Sequence, residues 1–507
     1  MQFNTRSLFA VKSVETLQSE ASNSAMKRSL GALDLLLLGI GDIIGTGIFV
    51  ITGNVAATMA GPAVALSFVL AGIACAFAGL CYAELASMLP VSGSAYVYVY
   101  ASSGELLGWI VGFNLILEYL LGSALAAQGF SAYLAKLLKT FHVVMPHAWT
   151  STPFTWSSDA GFQLAQDTYI NLPALLIVIF VSLVLTFGAK ETAMFNHFFA
   201  SIKIVVIVLF LFATFGQVDT ARWTPFIPGP SHGHEYGIMG VLEASSMVFI
   251  AFIGFDAVSS AAQEVKRPSR DLPIGILGSL VICTILYCLV CMNLTGIADY
   301  WTLTSGAPLA DAVLSVGMNW LAVCVSVGAV AGLTSVITVS LMALPRIFYT
   351  IARDGLIPPA FAKLHPKYRT PYVAIWVNCV VCGSIAAFVP IEVIAHMTSA
   401  GTLLAFAMVS ASVGVLRIKR PDVERKFKVA GGPYLVPVLG TVICLAMIGL
   451  SGLTNMIRLV IWVLLGVVIY MAYGRTHSLV NNPERVLDLP EWEKEEKSEV
   501  KMAQLSA

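Results

Sequence analysis

The residues best equipped for chemistry lie where lipid would tolerate them least. Inside its first apolar run the chain reads Gly39-Ile40-Gly41-Asp42-Ile43-Ile44-Gly45-Thr46-Gly47-Ile48-Phe49, four glycines and an aspartate together. Each glycine costs about 1 kcal/mol of helix propensity relative to alanine. A charged group at the bilayer centre costs roughly 2.5–3.5 kcal/mol on insertion scales, and unwound backbone goes unsatisfied in hydrocarbon. The run must therefore face protein, water or solute. Glycine lets a ligand touch the main chain, so the N–H groups of Gly45, Thr46 and Gly47 can converge on an anion at the start of a half-helix. The competing reading makes these glycines close-packing contacts between helices. They are too dense for one helix face, and a second interrupted segment exists.

That segment reads Phe249-Ile250-Ala251-Phe252-Ile253-Gly254-Phe255-Asp256-Ala257-Val258-Ser259-Ser260, again with glycine and aspartate in mid-span. Five segments separate the starts of the two interrupted runs, so each opens a set of five. Paired interruptions at matching positions of two halves point to a midplane solute site between inverted repeats.

The elements that must position these residues are membrane-spanning helices. Of 507 residues, 57% are hydrophobic and 11% charged, where a soluble protein carries about a quarter charged. Mean hydropathy is +0.82, and the apolar runs reach the ~20 residues a bilayer requires. About twelve spans are expected, over 33–57, 63–89, 96–135, 170–188, 195–216, 240–263, 273–296, 319–349, 371–389, 392–416, 435–454 and 458–474. Lys190, Lys266, Arg267, Arg270, Arg353, Lys363, Lys367, Arg369 and the run Arg417 to Lys428 fall on one side of this layout. Lys136, Lys139, Arg222 and Arg458 fall on the other, so both termini are expected inside and the span count even. Loop 140–168, with His142, His147, Trp149 and Trp156, reads as an ordinary loop with interfacial aromatics. The polar N-terminus is too long and mixed for a signal peptide and reads as a cytoplasmic tail. The stretch from Asn481 reads as a solvated tail. A net charge of zero carries no nucleic-acid signature. The nine cysteines all fall in apolar runs, and the lone Cys379-x-x-Cys382 lacks a second ligand pair, which favours helix packing over a metal.

Several stretches together resemble the amino acid–polyamine–organocation superfamily of transporters, and within it the cationic amino acid transporter family. They are Lys27-Arg28-Ser29-Leu30-Gly31, the first glycine motif, and Gly254-Phe255-Asp256-Ala257-Val258 leading into Glu264-Val265-Lys266-Arg267-Pro268 and Arg270-Asp271-Leu272-Pro273. Arg346-Ile347-Phe348-Tyr349 followed by Ala352-Arg353-Asp354-Gly355-Leu356 completes the set. The resemblance implies an all-α, sodium-symporter-like fold. Its first five-helix repeat would occupy 33–216 and its second 240–416, with trailing helices over 435–474 between tails 1–32 and 475–507. It implies that an amino acid α-carboxylate sits on the N–H groups after Ile44, at Gly45, Thr46 and Gly47. The α-amino group would meet carbonyls near Ile43, Phe252 and Ile253, beside Gly254. It further implies that Lys203, with Asn196, puts an amine where related transporters hold a coupling sodium, with Thr334, Ser335 and Thr338 as hydroxyl partners.

Lys203 lies close enough to a helix end to snorkel, but an amine withdrawn from water gives up its proton more readily, which suits a proton carrier. Glu118 follows Gly104, Gly108 and Gly112, spaced as a close-packing stripe. It is counted with Lys203 and Asp256 among the proton-coupling groups, and it lines the solute site, favours a cationic solute, or bonds structurally. Asp256 is either a coupling acid or a cap on the second half-helix. Asp42 departs from the family's small neutral residue. Local bonding to the freed N–H groups competes there with binding a cationic group or assisting protonation. Glu84, Glu392 and His396 are weaker candidates, since span ends tolerate charge.

The reading is a secondary transporter of L-amino acids by alternating access, with the proton as coupling ion and no cofactor. Its partners are the amino acid and the bilayer, with a small single-span accessory protein left open. An uncoupled amino acid exchanger and a non-transporting sensor on the same fold are the rivals. No phosphate-binding Walker motif is present, and no nucleophile–base or metal constellation suggests an enzyme. The absence of exterior cysteines and of a targeting peptide favours a bacterial inner membrane. Cationic and neutral substrates both fit the backbone clamp.

Overall fold

The computed structural model describes residues 8–14, 17, 30–89, 94–157, 161–165, 167–230, 236–260, 262, 265–366, 368 and 370–479. Lys27-Arg28-Ser29, Glu264, Lys367, Arg369 and the tail from Asn481 lie outside them. Helices α1 (Ala32–Ile43), α2 (Val64–Met88), α3 (Ser94–Ser103) and α4 (Glu105–Thr140) form the first part of the chain. Helices α5 (Leu172–Thr186), α6 (Ala189–Thr214), α7 (Gly237–Val248), α8 (Phe255–Ser260) and α9 (Pro268–Ile297) follow. Then come α10 (Pro308–Ser315), α11 (Asn319–Arg353), α12 (Tyr372–Phe388), α13 (Ile391–Lys419), α14 (Leu435–Leu450) and α15 (Leu453–Ile469). Among the described residues eight helical stretches are long and apolar enough to cross a membrane, and the first, Ala32–Met88, covers two expected spans. The apolar helices α5, α12 and α14 are shorter.

Two expectations need correction. The span expected over 96–135 is two helices, because Gly104 takes φ +99° with its α-carbon against the backbone of Phe9. Gly104 therefore ends the proposed stripe; only Gly108, against Tyr100, and Gly112, against Tyr96 and Ile351, pack inside α4. The loop over 140–168 contains a hairpin, β1 (Phe154–Ser157) antiparallel to β2 (Gly161–Leu164). Its Trp156 lies under the Arg458 guanidinium at 4.2 Å.

Helix α2 packs along α9, and α4 along α11. Small residues bring the helices close. Gly275 on α9 faces Leu35 of α1, and Gly39 on α1 faces Ser279 of α9. Near the chain ends, Glu105 N–H donates to Ala10 C=O at 3.0 Å and Leu106 N–H to Leu8 C=O at 3.1 Å. The N-terminal segment thereby serves donors that the start of α4 leaves unpaired. Lys12 Nζ stands 3.6 Å from Asp354 Oδ1, and Leu479 N–H donates to Asp354 C=O at 3.1 Å. Both ends of the described chain therefore meet at Asp354.

Candidate functional site

Helix α1 stops at Ile43, where Ile44 turns to extended backbone at φ −71°, ψ 104°. The next helical bond runs from Phe49 N–H to Gly45 C=O at 3.2 Å. The N–H groups of Gly45, Thr46 and Gly47 precede that ladder and have no helical acceptor. Wide π turns, Gly47–Ile51 and Ala56–Ala60, then flank Thr52–Val55, and borrowed hydroxyls serve the carbonyls there. Thr52 Oγ1 donates to Gly47 C=O at 2.9 Å, and Tyr133 Oη to Phe49 C=O at 2.6 Å. The second break repeats the first. Helix α7 tightens into a 3-10 turn, Phe249–Phe252, and Ile253 is extended at φ −59°, ψ 135°. Gly254 takes φ +120°, which L side chains avoid.

The two breaks touch. A Cβ on Gly47 would lie 2.1 Å from Cβ of Ala251, and one on Gly254 would lie 3.0–3.1 Å from atoms of Asp42. A cavity with about 490 Å³ of atom-free space opens beside this contact. The first break lines it with Asp42, Ile43, Gly45, Thr46 and Gly47, the second with Ile250, Ile253 and Gly254. Helix α4 adds Glu118, Tyr119, Gly122 and Leu125, and α11 adds Val336 and Ser340. Ile44 is buried off the cavity. The Phe252 ring points away too, packing on Tyr287 at 5.4 Å and Phe68 at 6.3 Å.

Lys203 is 0% exposed, so it does not snorkel. Its Nζ donates to the carbonyl of Gly41 and to Ser335 Oγ, the latter at 3.4 Å. Ser335 Oγ donates onward to Asn196 Oδ1 at 2.6 Å. A Cβ on Gly332 would lie 3.1 Å from Cβ and 3.2 Å from Cδ of Lys203, so that glycine, unmarked in the sequence, makes room for the aliphatic stem of the lysine. Thr334 and Thr338 are corrected: their hydroxyls bond back to Val330 C=O and Thr334 C=O of their own helix, each at 2.7 Å. Only Ser335 of the three hydroxyls meets Lys203.

The acids divide sharply. Asp256 accepts from Tyr119 Oη at 2.8 Å and from Gly254 N–H at 3.3 Å. Among the described residues Asp42 has no hydrogen bond; it lies against Gly254 with Lys203 and Asp256 as its charged neighbours. The expected bonding of Asp42 to its own freed N–H groups is therefore absent. Both Glu118 oxygens are buried with no hydrogen-bond partner among the described residues, and the nearby Thr402 hydroxyl donates to Thr398 C=O instead. Glu84 lies elsewhere: it pairs with the Arg417 guanidinium, Nε at 2.8 Å, and accepts from Val429 N–H at 2.9 Å. That arrangement ties the end of α2 to the segment after α13. Glu392 is exposed, and neither it nor His396 lines the cavity. Among the described residues no group of His, Cys, Asp or Glu could hold a metal, and the Cys382 thiol packs against Leu120 C=O at 3.6 Å.

Two facing helix breaks enclose a small cavity with bare N–H groups on one wall, and comparison with known proteins shows the family of the chain. The sequence profile of the amino acid permease family matches residues 30–475. The chain belongs to the amino acid permease family. A methylthioribose transporter of Bacillus subtilis is 42% identical over 476 residues, covering 94% of this permease and 99% of the relative. The branched-chain amino acid permease BcaP of the same organism is 42% identical over 477 residues, with the same coverage. A chloroplastic cationic amino acid transporter 9 of Arabidopsis thaliana is 36% identical over 441 residues, 87% of this chain and 74% of that one. The permease is thus an integral multi-pass membrane transporter of the superfamily that its motifs resemble, and not an enzyme.

Proposed function

We propose that the permease carries L-amino acids by alternating access in symport with protons, in a bacterial cytoplasmic membrane with both termini inside. The observation behind the coupling is the placement of Lys203. Among the described residues it has no carboxylate within ion-pair range, and its ammonium rests on the Gly41 carbonyl of the broken helix and on Ser335 of α11. A protonated amine grips that carbonyl far more strongly than a neutral one. Gain and loss of the proton therefore tighten and release α1 against α6 and α11. The substrate carboxylate lies on the N–H groups of Gly45, Thr46 and Gly47, and its ammonium on carbonyls at Ile43, Phe252 and Ile253. Leu125, Ile250 and Val336 offer an apolar wall to the side chain, as the branched-chain relative would need. Glu118 and Asp42, whose carboxylates have no hydrogen-bond partner among the described residues, are the acids free to exchange protons or meet a cationic group.

The test is purified protein in liposomes, screened against the common amino acids with and without an inward proton gradient. Symport predicts accumulation into substrate-free vesicles under the gradient, abolished by Lys203→Ala in a protein that stays monodisperse. Uptake that demands internal amino acid and ignores the gradient identifies an exchanger instead. Saturable binding without uptake identifies a sensor.

A further inference from the structure

Two carbonyls stranded by the two helix breaks meet a single hydroxyl. Tyr287 on α9 is 1% exposed. Its Oη stands 2.7 Å from the Ile43 carbonyl oxygen and 2.9 Å from that of Ala251. Ile43 ends α1, and Ala251 sits in the 3-10 turn before the second break. Both carbonyls therefore belong to terminating helices that cannot supply their own donors. The ring is clamped by Phe68 of α2 at 5.3 Å and by Phe252 at 5.4 Å. Helix α9 also carries α1 on the close seam of Gly39 with Ser279 and Gly275 with Leu35, which sets the phenol at a defined place relative to both breaks.

A phenol has one proton to donate, so two acceptors compete for it. They are not equivalent, because Ile43 lines the cavity and Ala251 does not. When the proton points to Ile43, the cavity-side carbonyl is occupied. When it points to Ala251, the Ile43 carbonyl is free to accept a hydrogen bond from a ligand. We propose that Tyr287 is a positioning residue that ties the two broken segments into one unit. By turning its proton to Ala251, it yields the Ile43 carbonyl to the substrate ammonium. The hand-over rests on the amino acid reading above, whereas the tie between the segments does not.

The experiment compares Tyr287→Phe, which removes only the hydroxyl, with Phe68→Leu, which disturbs the ring's packing and keeps the hydroxyl. Initial rates of amino acid uptake in liposomes should show KM lowered by up to about tenfold in Tyr287→Phe, because the hydroxyl that competes with the ammonium for the Ile43 carbonyl is gone, with the maximal rate within about twofold. Phe68→Leu should leave KM within about twofold. Amide hydrogen exchange should be faster in Tyr287→Phe, and not in Phe68→Leu, over peptides spanning 44–47 and 254–257. An unchanged or raised KM in Tyr287→Phe, or equal shifts in both variants, overturns the hand-over. Equal exchange in Tyr287→Phe and the unaltered protein overturns the tie. Should the unaltered protein take up no amino acid, the proposed function falls, and the exchange measurement still decides the tie.

Discussion

The two helix breaks use the same residue types and arrive at different hydrogen-bonding states. At the second, Asp256 is fully engaged, with one oxygen taking the Tyr119 hydroxyl and the other the Gly254 N–H. At the first, the Asp42 carboxylate has no hydrogen bond among the described residues, and its charged neighbours include Lys203, Asp256 and Glu118. The anchored acid holds its own break in shape. The unanchored one is available to a proton or a ligand. An aspartate beside a glycine in mid-span is thus not one device but two, and partners from other helices decide which.

The largest expected effect comes from forcing the breaks apart. Gly47→Ala would place a methyl inside the Ala251 side chain and backbone. A clamp displaced by an ångström or more should lose on the order of 100-fold in uptake rate. Liposome uptake compared with the unaltered protein checks this, and near-normal transport would show that the contact is not maintained during the cycle.

The comparison of the acids sharpens next in stability. Asp256→Ala leaves the Tyr119 hydroxyl and the Gly254 N–H buried and unpaired, costing roughly 1–3 kcal/mol apiece. Asp42→Ala removes no hydrogen bond and should cost under about 0.5 kcal/mol, as for a group without bonded partners. Thermal unfolding in detergent should show a clear drop for the first and almost none for the second. Equal losses would erase the distinction between the two breaks.

The smallest effect separates neighbouring hydroxyls on one helix. Ser335→Ala removes a partner of Lys203 and should weaken gradient-driven uptake about tenfold, the value of roughly one charge-assisted bond. Thr338→Val, which removes a hydroxyl that among the described residues bonds only to Thr334 C=O, should stay within about twofold. If the two variants match, Ser335 does not act through Lys203.

Much was readable before the fold was known. Glycine density and a charge inside an apolar run break a helix by local energetics alone, so both breaks were legible, and with them Gly45, Thr46, Gly47 and Gly254. Apolar runs of bilayer length announced a polytopic helical protein, and the motifs carried its family. The sequence was less informative wherever a residue's role depends on what another helix brings to it. Glu84 read as a candidate in a span end and became the partner of Arg417, which is distant in sequence. Thr334, Ser335 and Thr338 share a helix and a chemistry, yet only Ser335 points at Lys203. Tyr119, Gly332 and Tyr287 carried no local signal, since a tyrosine or glycine in an apolar helix is ordinary until its neighbours are known.

Asp42 shows the boundary between these two kinds of information. Its cost in the membrane is local, and that cost told where the helix must open. Its freedom from hydrogen bonds is not local: it follows from Gly254 on another segment, whose missing side chain leaves the carboxylate room but offers it no donor. Local propensity therefore located the two breaks, and packing between distant helices decided which charged groups there are hydrogen-bonded and which are not.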